Sequence, residues 1–447
     1  MNTFRSLWKG LHVAPVLAVC FALGGCVGLL GPDGTEKAII EKAATMPALT
    51  PAEGAQVKSV ARNGLFINPS VRHAASLISA SADQVRVQRA ALFPGFSLAG
   101  GGGLGTASAG APALQMAGSQ LLFDGGNSQR VVQLADFDLQ INYINFQKSV
   151  DDALVEIVKA YDAVQMQREL LDVYKKQLKA ATELDALVAN RSRDGAASVS
   201  DHLETRKRLQ SAAFLVNDAA LALGEAQDRL TLLSGQARGG RIKLAARSCK
   251  ARGETDELRI ARMSQARARL ELERAERAIS PRIVLRPILG GELGVNKLPF
   301  GVNIDVQSDL LQGGAFTAKA NVARNTLAAT EAKLAAVRLE DSLGERGLLR
   351  ALAASDRKTD MLKRQIQLLE KTRGLYRSQY FDMGTRRISE LLDNEEEYYS
   401  RQAELIQLRS EIALNQAKCA VRSRTLRQEF ELEGNSIYGF PLSPDLI

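Results

Sequence analysis

Two segments in the second half of the chain alternate between apolar and polar residues. The stricter one reads FGVNIDVQ, in which every second position is apolar: Phe300, Val302, Ile304 and Val306. A period of two places successive side chains on opposite faces of a β-strand. RIVLRPILGGEL has the same period, and FSLAGGGGLG and ALQMAGSQ are weaker counterparts in the first half. Each segment is about ten residues long, the length that a tilted membrane-spanning β-strand needs.

A long helix is predicted after each pair of strands. From Asn127 to about Ala189 no proline interrupts the chain, and apolar residues keep a heptad spacing at Val150, Leu154, Ile157, Tyr161, Val164, Leu171 and Leu178. The second long helix is predicted from Ala315 to about Tyr380, with its apolar stripe at Leu348, Leu352, Leu362, Ile366 and Leu369. At a rise of 1.5 Å per residue, each helix is roughly 95–100 Å long.

Shorter helices flank the long ones. Helical stretches of about 25 residues, Pro69–Leu92 and Asp256–Ile279, lead up to the strands, and each ends just before a proline. After each long helix the chain is predicted to turn and return as a helix, over Ala196–Leu233 and Thr385–Glu431. A leading and a returning helix together match the length of a long helix. They can therefore stack end to end beside it, in a rod about 100 Å tall.

The same order of elements occurs twice. The motif G-x-x-x-x-S-[DE]-x-L-[DE] stands at Gly195–Glu204 and again at Gly384–Asp393, an offset of 189 residues. LFDGG, at Leu122–Gly126, recurs as LLQGG at Leu310–Gly314 with a nearly equal offset. Units of this length are too long for a solenoid repeat, so the pattern indicates a duplicated, domain-sized module. Both copies of the motif are expected at the end of the rod that is far from the strands.

These patterns predict a mainly α fold with a small β part, made of two long coiled-coil α-helical hairpins and four short strands. The chain is divided into a signal peptide (1–25), an N-terminal extension (26–65), a first repeat (66–240), an equatorial linker (241–255), a second repeat (256–432) and a C-terminal tail (433–447). Four strands are too few for a closed barrel, because the smallest single-chain membrane barrels have about eight. Several chains must therefore combine their strands, and the function must belong to an oligomer.

The first residues predict a secretory signal. Arg5 and Lys9 precede an apolar run that is too short for a spanning helix, and small residues follow it. The tetrapeptide Leu23–Cys26 resembles a bacterial lipobox, in which the cysteine becomes the acylated first residue of the mature protein. Val27 rather than aspartate follows, which in such lipoproteins usually means sorting to the outer membrane. We expect lipidation at Cys26 and anchoring in outer-membrane lipid; the alternative is an ordinary signal peptide that contains a cysteine.

Composition narrows the class of function. The formal net charge of +8 falls to about +6 once Arg5 and Lys9 leave with the signal. Basic and acidic residues are interleaved along the predicted helices, which indicates solvated faces and no nucleic-acid partner. The three histidines, His12, His73 and His202, are far apart in the sequence, so no zinc site or catalytic triad is predicted. We expect no cofactor, no metal and no enzymatic activity.

Two cysteines remain in the mature chain besides the acylated one. Cys249 lies in the linker between the repeats, and Cys419 lies on the last returning helix, at a similar predicted height in the rod. In an oxidising compartment they are a candidate disulfide, and two separate buried thiols are the alternative. The glycine run Gly100–Gly105 lacks the Lys-Ser/Thr sequence of a phosphate-binding loop and is interpreted as part of a strand.

Together these elements resemble the TolC-like outer-membrane efflux proteins, the exit ducts of drug-efflux and type I secretion machines. The residues that match are Pro94 and Pro281, LFDGG, RDGAASVSDHLE and GTRRISELLDNEEEYYSRQAELIQLR. The resemblance extends from about Pro69 to Arg424. It implies a homotrimer with a twelve-stranded outer-membrane barrel and a periplasmic α-helical tunnel. It also implies a tip that opens when a periplasmic adaptor (membrane fusion) protein and an inner-membrane pump dock.

The resemblance also assigns residues at the second turn. Family acids that ring the constricted periplasmic entrance match Glu390 and Asp393, and an arginine that helps to lock the tip matches Arg386. The locking tyrosine of the family falls on Phe381, or on Tyr380 if the turn is one residue longer here. A phenylalanine cannot donate the hydrogen bond that a tyrosine would.

The first turn has an equivalent pair of acids but no arginine equivalent to Arg386. Asp201 and Glu204 occupy the positions of the two aperture acids, and Ala197 stands where Arg386 stands in the second turn. The two turns are therefore expected to behave differently, with the first acid pair contributing less to the aperture.

A passive exit duct in the outer membrane, extending into the periplasm, is the function that we expect. A structural periplasmic coiled-coil scaffold or adaptor without channel activity is the alternative, although it would not need the strict alternation of FGVNIDVQ. A periplasmic hydrolase would need a nucleophile–base or metal set, which the sequence does not show. The motifs are compatible with export of proteins or of small toxic compounds, and with a proton-driven or an ATP-driven pump.

Replacing Cys26 with alanine tests the lipid anchor. The variant Cys26→Ala is expected to lose the mass increase of acylation and to release a share of the protein from the membrane fraction. Mass spectrometry of the mature protein measures the first effect, and membrane fractionation measures the second. Cys20→Ala, which changes only the removed signal, is the matched control. Full acylated mass in the Cys26 variant would refute the assignment.

Overall fold

The computed structural model describes residues 31–101, 113–244, 249–251, 253–292, 300–308 and 313–443. The predicted signal peptide, Cys26 and most of the glycine run Gly100–Gly105 lie outside these ranges. Among the described helices, none combines the length and apolarity needed to cross a bilayer.

The elements follow one another twice in the same order. Before the first copy come α1 (Gly34–Ala44) and α2 (Val57–Ile67). The first copy consists of α3 (Pro69–Ala90), β1 (Gly95–Gly101), β2 (Ala113–Phe123), α4 (Asn127–Arg193) and α5 (Val199–Ser234). The second consists of α6 (Asp256–Glu276), β3 (Arg282–Glu292), β4 (Phe300–Gln307), α7 (Ala315–Phe381) and α8 (Ile388–Arg422). A short helix α9 (Leu426–Glu429) and a hairpin of β5 (Ser436–Ile437) and β6 (Phe440–Pro441) follow.

The duplication predicted from the sequence is visible in the backbone. Both long helices, α4 and α7, have 67 residues. Each begins after a glycine in the left-handed region, Gly126 at φ 75° and Gly314 at φ 83°. A residue with a Cβ adopts this conformation only at a cost, which explains why LFDGG and LLQGG share their last glycine. Each long helix packs against the helices that lead to and return from it, so each copy is a coiled-coil rod.

The predicted strands are confirmed. The described residues form an antiparallel four-stranded sheet in the order β1–β2–β3–β4, and the β2–β3 pair joins the two copies, with Met116 opposite Leu289. On β4 the apolar side chains Phe300, Val302, Ile304 and Val306 are 49–69 % exposed, so their face of the sheet is uncovered in the single chain.

The last returning helix is shorter than predicted. The sequence pattern extended it to Glu431, whereas α8 ends at Arg422 and a separate turn, α9, follows. Arg424 adopts a left-handed backbone at φ 55°, which interrupts the helix. The two returning helices therefore have nearly equal lengths, 36 residues in α5 and 35 in α8.

The N-terminal extension and the tail belong to one core. The main apolar cluster includes Ile39, Leu65, Tyr143, Phe146 and Leu442, which come from α1, α2, α4 and the tail. Backbone hydrogen bonds join the N-terminal extension to the tail, since the Ser436 amide donates to the Pro47 carbonyl at 2.9 Å and the Leu49 amide to the Ser436 carbonyl at 2.7 Å. Both segments lie outside the two predicted repeats, and α2 crosses the boundary predicted at residue 65.

A buried arginine fixes this core. Arg427 is 3 % exposed and donates to both Asp151 carboxylate oxygens, at 2.7 and 2.9 Å, and to the carbonyls of Gln147 and Leu442 at 2.6 and 2.9 Å. The Gln147 side chain in turn donates to the Pro441 carbonyl at 2.9 Å. A buried charge is tolerated when such partners replace water, so this network holds the tail against α4.

Cys249 and Cys419 are bonded to each other in the structure. Their Cα atoms are 4.3 Å apart, and both residues are fully buried. The bond joins the equatorial linker to the end of α8. Arg422, on the next turn of α8, donates to the Cys249 carbonyl at 3.4 Å and holds the same segment.

The disulfide predicts a measurable contribution to stability. The double variant Cys249→Ser, Cys419→Ser is expected to lose about 2–4 kcal/mol of unfolding free energy, because the bond closes a long loop. Denaturant unfolding measures the loss, and the wild type in reducing agent should fall to the level of the variant. Peptide mapping without reductant should recover the two cysteines in one linked species. If both instead react with an alkylating reagent after unfolding without reductant, they are separate thiols.

Candidate functional site at the helical tip

The two turns at the end of the rod pack side by side. The first turn follows α4 and the second follows α7, and a cluster of buried apolar residues joins them: Leu184, Val188, Tyr380, Ile388, Leu391 and Leu392. The glycines of the repeated motif are left-handed in both turns, Gly195 at φ 72° and Gly384 at φ 66°. The predicted aperture residues of both copies therefore lie at one end of the molecule, as the motif indicated.

Glu390 and Arg386 pair within the second turn. Glu390 stands in the first turn of α8 and forms an ion pair with Arg386. Arg386 also donates to the Gln379 side chain at 3.1 Å, and its guanidinium lies 3.9 Å from the centre of the Tyr376 ring. These contacts hold Arg386 on its own hairpin, by hydrogen bonding and a cation–π contact.

Asp393 is bound by the other hairpin. It accepts from Arg208 of α5 at 2.7 Å, and the same guanidinium pairs with Glu396. Arg208 therefore bridges the two copies just behind the turns. This bridge is not visible in the sequence, because 185 positions separate Arg208 from Asp393 and Arg208 directly follows two other basic residues, Arg206 and Lys207.

The first-copy acids have a different environment. Asp201 forms a capping box with Ser198: the Asp201 amide donates to the Ser198 hydroxyl at 3.0 Å, and the Ser198 amide donates to the Asp201 carboxylate at 3.4 Å. The second turn has Arg387 at the cap position, without a side-chain cap. Glu204 is half-buried on the next turn of α5. Asp201 thus stabilises its own helix, whereas Glu390 is free to pair with Arg386.

Arg191, from the first copy, contacts Tyr380 and Phe381, the residues that the resemblance aligns with the locking tyrosine. Arg191 donates to the Phe381 carbonyl at 2.7 Å, and its guanidinium lies 5.6 Å from the Tyr380 ring centre and 5.8 Å from that of Phe381. Tyr380 is buried; this burial, with a further contribution from the Asp201 carboxylate, raises the pKa of its phenol. Tyr380 therefore stays neutral, and Phe381 is held through its ring and carbonyl.

Farther up the hairpin, Arg373 ties α7 to α8. It donates to Glu395 at 2.8 Å, and its guanidinium lies 4.4 Å from the Tyr398 ring centre. Burial raises the pKa of Tyr398 to about 12. Within the described residues, no group of histidine, cysteine and acidic side chains could hold a metal ion. The chemistry of the tip is thus that of ion pairs and cation–π contacts.

Comparisons with known proteins agree with this architecture. Residues 63–236 match the family model "Outer membrane efflux protein". Among solved structures, the CmeC outer membrane channel of Campylobacter jejuni has a TM-score of 0.74 at 13 % identity, covering 87 % of each chain. VceC of Vibrio cholerae gives 0.73 at 14 %, covering 87 % of this chain and 97 % of that one. A comparison with curated protein sequences finds no match.

A third structure extends the same result. The open state of the MtrE outer membrane channel of Neisseria gonorrhoeae has a TM-score of 0.68 at 16 % identity, covering 88 % of this chain and 90 % of that one. The chain therefore has the fold of these outer-membrane channels. The predicted resemblance to the TolC-like efflux proteins is confirmed, in fold over most of the chain and in sequence over residues 63–236.

Because Arg208 bridges the two hairpins, we expect its removal to increase the mobility of the second turn. Arg208→Gln is expected to loosen α8 from α5 and to speed amide exchange in residues 382–393 about two- to fivefold, because a partly exposed ion pair contributes at most about 1 kcal/mol. Hydrogen–deuterium exchange with mass spectrometry measures the effect. Arg206→Gln, an exposed neighbour on α5, is the matched control. Equal exchange in both variants would show that the bridge does not hold the tip.

Proposed function

We propose that this chain is one subunit of an outer-membrane exit duct that serves a tripartite export system. In this function it passes proteins or small toxic compounds, delivered by an inner-membrane pump, across the periplasm and the outer membrane. The uncovered apolar face of β4 is the observation that carries the proposal. A scaffold that stayed in the periplasm would expose this face to water.

The two faces of the sheet suit a wall between lipid and water. On the face opposite the β4 stripe, Arg286 pairs with Asp305 at 2.7 Å, so ionic side chains share that side. Contiguous exposed apolar surface on a soluble protein normally marks a contact with a partner or a membrane. Alternation of apolar and polar faces along each strand is the pattern of transmembrane β-barrels.

A homotrimer would complete this wall. The described sheet ends at β1 and β4, and the open edges of both would be paired by neighbouring copies. The rods also have uncovered apolar residues, which are 54–70 % exposed and recur every seven residues along each helix. They are Phe214 and Leu221 on α5, and Met361, Leu368 and Leu375 on α7. Neighbouring copies would cover these stripes as a coiled coil and enclose a periplasmic tunnel.

The first described residue, Gly31, lies near the strands. Arg89, at the end of α3, donates to the Gly31 carbonyl at 3.0 Å, and β1 begins six residues later. Lipid at Cys26, five residues before Gly31, would therefore reach the bilayer that surrounds the strands, because five extended residues span at most about 18 Å. The tip would then lie in the periplasm, within reach of an adaptor protein and the pump.

The tip acids would face the periplasmic entrance. In a trimer, Glu390 and Asp393 recur three times around one axis and would favour cations. Arg386 and Arg208, which pair with them in the single chain, would reduce this effect in the closed tip and release it on opening.

Single-channel recording tests the duct and its entrance together. Purified protein in planar bilayers is expected to give step currents with cation selectivity. The double variant Glu390→Ala, Asp393→Ala should lose part of that selectivity and of the block by multivalent cations, because the carboxylates nearest the opening are gone. Asp201→Ala with Glu204→Ala is the matched control and should change both properties weakly.

The possible outcomes distinguish a failure of the proposed duct function from a failure of the proposed aperture residues. Absence of any current from correctly folded trimers would favour the scaffold. Normal currents with unchanged selectivity in the Glu390, Asp393 variant would leave the duct standing and show that these acids do not form the aperture.

A further inference from the structure

A cleft of about 740 Å³ lies where the strands join the helices. Its walls come from the last turns of α6, the first turns of α4 and α7, and the nearby ends of β3 and β4. Four basic side chains line it: Arg274, Arg277, Arg282 and Lys319. We call it the basic cleft. Its volume lies within the range of about 300–1,000 Å³ that is typical of ligand pockets.

The acids that line the basic cleft are already bound elsewhere. Asp124 accepts from the Ser128 amide at 2.7 Å, and Glu271 pairs with Arg267 at 2.7 Å. Neither acid forms an ion pair with a cation of the cleft, and the four basic side chains outnumber the two acids that line it.

Among the described residues, none of the four cations forms an ion pair. Arg274 donates to the neutral Asn127 side chain at 2.8 Å, and Lys319 lies over the Phe316 ring at 5.9 Å. For Arg277 and Arg282, which are exposed, no ion pair is found among the described residues. Two long helices also begin here, and their N-terminal ends add positive potential. Arginines with free donors are suited to bidentate binding of phosphate and carboxylate groups.

The strand register shows which side of the sheet the cleft belongs to. Arg282 is paired with Gln307, and both line the cleft. They alternate onto the face that carries the Arg286–Asp305 ion pair, opposite the apolar stripe of β4. The basic cleft therefore opens on the polar face, which in the proposed duct faces the passage and not the lipid.

We propose that the basic cleft binds the phosphate or carboxylate groups of anionic solutes that pass through the duct. This inference rests on the proposed function, and it adds an anion-binding ring at the base of the barrel to the acidic entrance at the tip. A trimer would carry three such clefts around the passage.

A binding measurement tests the cleft without any current. Isothermal titration calorimetry of the full-length protein in detergent, with inorganic tripolyphosphate as the probe, is expected to show binding. Arg277→Gln with Arg282→Gln should weaken it about tenfold or more, because each arginine supplies charge-assisted hydrogen bonds. Arg346→Gln with Arg350→Gln removes the same charge from exposed positions of α7, about 40 Å farther along the helix, and should leave binding unchanged. Equal affinities in the two double variants would overturn the inference.

Single-channel recordings then test whether the basic cleft faces the passage. Tripolyphosphate added on the strand side should block wild-type currents and block the Arg277, Arg282 variant at about tenfold higher concentration. Unchanged block, with currents intact, would overturn the inference and leave the duct standing. Binding to phosphatidylglycerol vesicles tests whether the cleft instead binds lipid headgroups. If the Arg277, Arg282 variant loses vesicle binding while tripolyphosphate still blocks its currents as in the wild type, the cleft is a lipid-headgroup site and the inference is overturned.

Discussion

The buried ion pair of Arg427 and Asp151 is the interaction on which the rest of the structure depends. It joins α4, from the first copy, to the segment that follows the last helix of the second copy. Burial lowers the pKa of Arg427, but the charge and hydrogen bond of Asp151, together with the charge of Asp256, raise it overall, so the guanidinium remains charged. Such a charge is stable in a core only when its donors are satisfied, and the partners lie 276 residues apart in the chain. The pair therefore fixes the segment that follows α8 against α4 of the first copy.

Two neighbouring arginines and the disulfide extend this joint to the linker. Arg422 pairs with Asp341 of α7 at 3.0 Å, and Arg424 donates to the Glu254 carbonyl at 2.7 Å and to Asp256 of α6 at 3.3 Å. Arg424 adopts a left-handed backbone just after α8 ends, and the two arginines bind separate partners on α7 and α6. The equator of the molecule is thus one cross-linked region, with the returning helices on its tip side and the leading helices and strands on its other side.

The two copies form hairpins with the same backbone conformation at the turn but with different side-chain contacts. Both turns use a left-handed glycine, but Asp201 caps its own helix, whereas Glu390 pairs with Arg386. Arg191 and Arg208 of the first copy bind Phe381 and Asp393 of the second, so the contacts between copies are also one-sided. The ion pairs at the tip are partly exposed, whereas the Arg427–Asp151 pair at the equator is buried. Loss of a single tip ion pair is therefore expected to cost less free energy than loss of the equatorial one.

The sequence alone determined the elements and their duplication. Periods of two and seven residues, with glycine and proline at the ends, set the strands and long helices to within a few residues, because these signals act between neighbours along the chain. Tertiary structure alone decided the partners. A charged residue on a helix looks the same in sequence whether it is solvated, as Arg206 is, or bridges two hairpins, as Arg208 does. The Arg427 network, the union of extension and tail, and the end of α8 at Arg422 all depend on contacts between residues far apart in the chain, which folding brings together.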